Sequence, residues 1–270
     1  MWLGLLAMAV LAAGFYYRHQ VQEGYRYVGK RAAPLRTIIT PVPLRFKEIL
    51  KNYFPYYNQL KPDHKRKFER KLVYFIFSKY FIPRNFGGVT DEMKVLIAAS
   101  AVQLTFGLPR VFMAHFNRIL IYPDDYYSEI TRRYHRGEVN PAYRTIVLSW
   151  RSFVMGYLQP TGTTNVGLHE MAHALRLQNI IRVNEFDFFD AELLDVFDQW
   201  ADRVCAQMEE GGVRFFRPYA CTNHQEFFAV AVENFFERPA AFKKELPELY
   251  GVMTRLLNQD PMTITQPAAV

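Results

Sequence analysis

The sequence predicts an α+β fold, mostly helical with one small sheet, preceded by an N-terminal transmembrane helix. Three observations carry this expectation. The first 17 residues hold no charged side chain. Two short runs rich in β-branched residues, NRILIYP (117–123) and YRTIVLSW (143–150), sit mid-chain. Most of the remaining patterned sequence has helical length and punctuation. Helices packed against a short sheet make an α+β domain.

The chain has 270 residues, enough for one full-sized domain with a core plus an appendage. Half the residues are apolar and 16% are aromatic, a composition that folds. The sequence contains no internal repeat and no low-complexity tract. Its two cysteines, Cys205 and Cys221, form no C-x-x-C pair. That argues against a disulfide scaffold and against a thiolate zinc site, so the expectation is two buried free thiols.

MWLGLLAMAVLAAGFYY is just long enough to cross a bilayer, whose core needs about 17–25 apolar residues. Trp2 and the Tyr16–Tyr17 pair lie near its ends, as interfacial anchors do. A cleaved leader would carry positive charge before the run and small residues at its end. Here the run ends in Phe15-Tyr16-Tyr17, and Arg18, Arg26, Lys30 and Arg31 all follow it. The positive-inside rule then predicts a single-pass anchor with a cytoplasmic body. Residues 18–80 hold 15 Lys/Arg against 4 Asp/Glu. No nucleic-acid-binding motif accompanies this excess, and an anionic leaflet beside the anchor explains it better.

Pro34, Pro41 and Pro43 mark a linker. Pro62-Asp63 opens a helix to about Tyr80. Thr90 is a good N-cap for DEMKVLIAASAVQLTF, which stops at Gly107 and is apolar nearly all round, so it should be a central buried helix. The two β-branched runs follow as strands of one sheet. Helices are then expected over about 165–178, 188–210, 223–236 and 241–258.

The chemistry lies in GLHEMAHALRLQN (167–179). On a helix, residues four apart share a face, so His169 and His173 can aim ring nitrogens at one zinc ion. Glu170 falls beside the metal, where it can take a proton from an attacking water and pass it to a leaving amine. Thr163, Thr164 and Asn165 offer N-caps upstream. H-E-x-x-H arises by chance in roughly one chain in a hundred of this length, so a third ligand must be found. Arg176 and Asn179 stand where a metzincin needs Gly and His, which leaves a glutamate on a later helix. In YACTNHQEFFAVAVENFFERP (219–239), Thr222 and Gln225 have capping-box spacing. Glu226 then falls in a first turn ahead of an apolar run, where a cation would compensate its carboxylate. The alternatives are a first-turn glutamate favoured by the helix dipole and His224 as the ligand. Glu233, seven residues on, could orient a liganding imidazole or serve in a salt bridge. His19, His64, His115 and His135 have no comparable setting.

Five stretches, VLIAASAVQLTFG, FNRILIYPDDY, VLSW, HEMAHAL and YACTNHQEFFAVAVENFFE, occur in the order and spacing of one family. Over roughly residues 50–260 the chain resembles the Mlc titration factor A family of zinc-dependent peptidases, itself similar at the metal site to the catalytic domain of anthrax lethal factor. The resemblance implies a zincin-like metallopeptidase domain of the gluzincin type, with Zn2+ held by His169, His173 and Glu226 and with Glu170 as base. It also implies that Tyr219 hydrogen-bonds the oxyanion; without the resemblance Tyr219 reads as a core tyrosine. Asn117 departs from the pattern, because some members carry a histidine there that reaches the metal. Family members are linked to peptidase activity and to regulator binding. Two function classes follow: a membrane-tethered zinc peptidase or aminopeptidase acting on peptides or proteins, and a non-catalytic protein that sequesters a transcriptional regulator. The expected organisation is an anchor over 1–17, a basic linker over 18–49, a zinc peptidase domain over 50–260 and a tail over 261–270.

Overall fold

The computed structural model describes residues 41–264, apart from 109, 129–131, 159–163 and 182–186. The anchor expected over residues 1–17 lies outside them, as do 18–40 of the linker and 265–270 of the tail. Among the described residues no helix is long and apolar enough to cross a membrane. From Val42 on they belong to one compact unit.

Helix α1 (Leu44–Tyr53) starts directly after Pro43, within the stretch read as linker. Proline suits the start of a helix as well as a break, because its fixed φ and missing N–H cost nothing there. Short α2 (Pro55–Gln59) and long α3 (Pro62–Ser78) follow, both with proline in the first turn. Strand β1 (Tyr80–Pro83) leads to α4 (Asp91–Leu104), where the Thr90 side chain accepts from Met93 N at 3.2 Å. Val95 through Leu104 are all buried, so α4 is the central helix that its all-round apolar sequence requires.

Strands β2 (Arg118–Tyr122) and β6 (Thr145–Ser149) coincide with the two β-branched runs and pair in parallel. The sheet order is β1-β2-β6-β5, with β1 parallel to β2 and β5 (Gly137–Asn140) antiparallel to β6 at the edge. Strands β3 (Tyr126–Ser128) and β4 (Arg133–His135) form a separate antiparallel pair.

After α5 (Trp150–Leu158), helices dominate: α6 (Val166–Ile180), α7 (Ala191–Glu209) and α8 (His224–Glu237). The segment expected as one helix over 241–258 is two, α9 (Pro239–Glu245) and α10 (Pro247–Leu256). Pro247 has no N–H to continue the first ladder and opens the second. A last short helix, α11, spans Pro261–Ile264. Helix α6 is buried against α4 and α8, and its approach to α4 is close. A Cβ on Gly167 would lie 2.6 Å from the Phe153 ring and 2.9 Å from Ser100 Oγ.

The expectation of two free thiols is overturned: Cys205 and Cys221 are joined by a disulfide, Cα to Cα 5.5 Å. Cys205 lies on α7, and Cys221 lies in a 3₁₀ turn, Pro218–Thr222, that leads into α8. The 16-residue separation contains the turn that folds the chain back on α7, and no spacing rule announces it.

Candidate metal centre

Helix α6 begins at Asn165, whose side-chain oxygen accepts from Leu168 N at 3.0 Å. Of the cap candidates, Asn165 is the one used, and Thr163 lies outside the described residues. From this start His169, Glu170 and His173 fall on the buried side that faces α8 and β5. Helix α8 is capped by Asn223, whose Oδ1 accepts from Glu226 N at 2.9 Å. The expected Thr222–Gln225 capping box is therefore corrected: Thr222 lies within the 3₁₀ turn, and its hydroxyl donates to Tyr219 O. Glu226 still occupies the first turn of α8.

The two helices bring His169, His173 and Glu226 to one point. His173 Nε2 lies 3.1 Å from His169 Nε2, and Glu226 Oε2 lies 3.2 and 3.4 Å from the two nitrogens. Ligands at 2.0–2.1 Å from a tetrahedral zinc are themselves about 3.3–3.4 Å apart, so the triangle has the edge lengths such an ion requires. Glu226 Oε2 is buried and accepts no well-aligned hydrogen bond. On the far side of the ring, His169 Nδ1 meets Glu233 Oε1 at 2.7 Å. If that nitrogen donates to the carboxylate, Nε2 keeps a lone pair toward the triangle. Three acceptor atoms then converge, and a divalent cation fits them.

The electrostatics agree. Burial disfavours an imidazolium at His169, but the Glu226 and Glu233 carboxylates outweigh it and push the ring up to about 10. Burial works against the charge on Glu226 as well, yet the His169 and His173 rings hold its carboxyl well below the usual range. Glu233, also buried, is held low by His169 and by Arg217. Arg217 clasps it bidentately, Nη2 to Oε1 at 2.7 Å and Nη1 to Oε2 at 3.1 Å. The site calls for positive charge, and a metal ion competes with protons for it.

Glu170 behaves differently. It is buried, and desolvation raises its pKa against the pull of His169 and His173, with Glu226 and Glu138 adding to the rise. Strand β5 presses on it: a Cβ on Gly137 would lie 2.4 Å from Glu170 Cγ and Oε1. Only glycine lets the strand backbone come this close. Tyr219 is half-exposed on the rim, its ring centroid 6.3 Å from that of His169, so it is not a core tyrosine. Partial burial and the Glu226 carboxylate push its hydroxyl up to about 12.

These groups line one cleft of about 590 Å³, with His135, Glu138, Val139 and Leu177 among its walls. The chain matches the family described as glucose-regulated metallo-peptidase M90 over residues 30–257. It belongs to that metallo-peptidase family. Among its relatives, an uncharacterized Synechocystis protein is 27% identical, covering 82% of this chain and 86% of its own. Mlc titration factor A of Serratia proteamaculans is 26% identical, over 77% of this chain and 86% of its own length. The Pectobacterium atrosepticum protein of the same name is 24% identical, over 75% and 82%.

Within this M90 chain the sequence-nominated residues are all at the cleft or directly behind it. His224 reaches the cleft wall but pairs outward, Nε2 to Asp202 at 2.7 Å. Asn117 is buried at the start of β2, its carbonyl accepting from Tyr80 N, and does not line the cleft. His135 lines the cleft rim but is not in the converging triad. Sequence reasoning passed over Gly137 and Arg217. A glycine opening GEVN gives a weak signal of close backbone approach, and nothing near Arg217 marks its partner 16 residues away.

Proposed function

We propose that this protein is a zinc-dependent peptidase, tethered to the membrane by residues 1–17 with its catalytic body on the cytoplasmic side. The observation that carries the catalytic reading is the triangle of His169 Nε2, His173 Nε2 and Glu226 Oε2, with edges of 3.1–3.4 Å beside a buried glutamate. Those three side chains would hold Zn2+. When bound, zinc supplies Lewis acidity, polarising the scissile carbonyl and making an attacking water more acidic.

The chain's own residues do the rest. Glu233 and Arg217 fix the ring of His169 from behind. Glu170 takes the proton from the attacking water and delivers it to the leaving amine, and the burial that raises its pKa makes its carboxylate a stronger base for that proton. The Tyr219 hydroxyl stays protonated at neutral pH and donates to the oxyanion as the carbonyl becomes tetrahedral. The substrate is a peptide or protein, attacked from its amino terminus in the aminopeptidase form of the reading. The basic stretch over 18–80 would lie against an anionic leaflet.

A second reading, a zinc-containing protein that sequesters a transcriptional regulator, draws on the printed name of the relatives, Mlc titration factor A. Glu170 separates the two, since a binding role needs no proton carrier. The test is metal analysis of purified protein, then a peptide panel with and without chelator, for the parent and Glu170→Gln. The peptidase reading expects one zinc per chain in both proteins and a loss of about 10²–10⁴-fold in turnover in the variant. Equal cleavage by the two, or none by the zinc-loaded parent, refutes it. Fractionation and protease treatment of right-side-out spheroplasts test the tether; a wholly soluble protein, or digestion of the body from outside, refutes that part.

A further inference from the structure

We infer that the Cys205–Cys221 disulfide is a positioning element for Tyr219, and that opening it lowers turnover without removing the metal. The inference rests on the peptidase reading for its kinetic arm only; in a body on the cytoplasmic side, where thiols are kept reduced, the closed, active form is the transient one.

One side of the cleft is formed by a short segment. Arg217, Tyr219, Cys221, Asn223 and Glu226 follow one another within ten residues. Arg217 reaches back to Glu233, Asn223 caps α8, and Glu226 completes the triangle. Each of those three is held by its own polar contacts. Tyr219 is half-exposed: its hydroxyl meets the Glu226 carboxylate, and its ring lies 5.8 Å from the Arg217 guanidinium and 6.3 Å from the His169 ring. It rides on a single 3₁₀ turn, whose hydrogen-bond geometry is poorer than that of an α-helix.

Beyond the buried Ala220, the covalent tie of that turn to α7 is the bond from Cys221, two residues beyond Tyr219, to Cys205. Helix α7 contributes no side chain to the cleft, yet it is fastened to both ligand-bearing helices. Asp198 pairs with Arg176 of α6 at 2.6 Å, and Asp202 pairs with His224 of α8. It is also anchored in the core through Phe197, Ala201 and Val204. The disulfide thus connects the turn that carries the half-exposed Tyr219 to a braced helix. A phosphine reverses the link: its phosphorus attacks one sulfur and expels the other as a thiolate, and water then attacks the phosphorus, releasing the second thiol and the phosphine oxide, so that two electrons from phosphorus and two protons from water pass to the cysteines.

The experiment compares oxidised and reduced full-length protein in detergent, using a phosphine reductant, which does not compete for zinc as a dithiol does. Cys205→Ser/Cys221→Ser and Cys205→Ala/Cys221→Ala serve as permanently open forms. Amide exchange followed by mass spectrometry reads the turn directly. The expected result is faster exchange over 217–222 in every open form, with 227–235 of α8 still protected and zinc content unchanged. In kinetics, kcat falls at least about 10-fold, within the 10²–10³-fold limit for loss of an oxyanion donor, and KM moves only a few-fold. In a Tyr219→Phe background opening the disulfide has no further effect on kcat, because both changes act through one hydroxyl. Unchanged exchange over 217–222 overturns the inference whatever the activity. So does a fall in kcat that persists in Tyr219→Phe or accompanies zinc loss, since that is general loosening of the fold. If the oxidised parent cleaves nothing, the peptidase reading fails while the exchange result still decides the tether.

Discussion

Replacing Gly137 with alanine tests whether Glu170 works from the position it occupies. The added Cβ would lie 2.4 Å from Glu170 Cγ and Oε1 and 2.5 Å from Cδ, whereas ordinary contact begins near 3.4 Å. The carboxylate must therefore retreat by about 1 Å, and a misplacement of that size costs about 10²-fold in rate. The methyl's three nearest neighbours are all Glu170 atoms, so the push falls first on Glu170. Overpacking of this kind costs about 1–3 kcal/mol of stability, so the variant should fold and melt below the parent. The assay is kcat and KM on a peptide substrate at a temperature well below both melting points, with zinc measured on the same sample. Gly88→Ala is the control, because a Cβ there meets nothing within 4 Å. A zinc-loaded Gly137→Ala with the parent's kcat would refute the argument that Glu170 is held by the strand.

Glu226→Ala should lose the zinc, read by elemental analysis; full occupancy would remove Glu226 from the ligand set and bring His224 forward. Tyr219→Phe should keep zinc content and melting temperature while kcat drops about 10²–10³-fold, and altered stability with unchanged kcat would mark a merely structural ring. Burial pushes the Glu237 carboxyl, which accepts from Asn165 Nδ2 at 3.0 Å, up from 4.5 to about 8. The folded state then binds the extra proton between those values, so its contribution is complete below about 4.5 and is lost by the time pH passes about 8. Glu237→Gln should flatten that decline in urea titrations from pH 5 to 9, and an equally steep decline would show that Glu237 does not cause it.

The parts of the fold legible in sequence are those written in local pattern. Thr90 with two acids after it gave the central helix, β-branched runs gave β2 and β6, and the i, i+4 histidines gave one face of a helix. Strand β5 was invisible, since GEVN has neither alternation nor β-branched density and exists through its pairing with β6. The pairing of Cys205 with Cys221 and the clasp of Arg217 on Glu233 are equally tertiary. The capping box at Thr222 failed because Asn223, one residue on, is an equally good cap and the 3₁₀ turn had already engaged Thr222. For Glu233, the seven-residue step from Glu226 predicted the shared face, and the structure adds which imidazole it meets.

Helix α8 sets three glutamates on one stripe with very different appetites for a proton: Glu226 and Glu233 are held well below the usual carboxyl range, and Glu237 sits near 8. Steps of seven and four residues at 100° each bring them back to within about 20° of one line. The imidazole of His169 spans the first two of them, one ring nitrogen to each. The helix therefore acts as a ruler on which the carboxylate of the triangle and the orientation of the ring share a single phase. Inserting or deleting one residue between Glu226 and Glu233 would swing one of them about 100° off the ring. Chains of this design can exchange the apolar residues of FFAVAV freely for others of similar volume, but they cannot change their number.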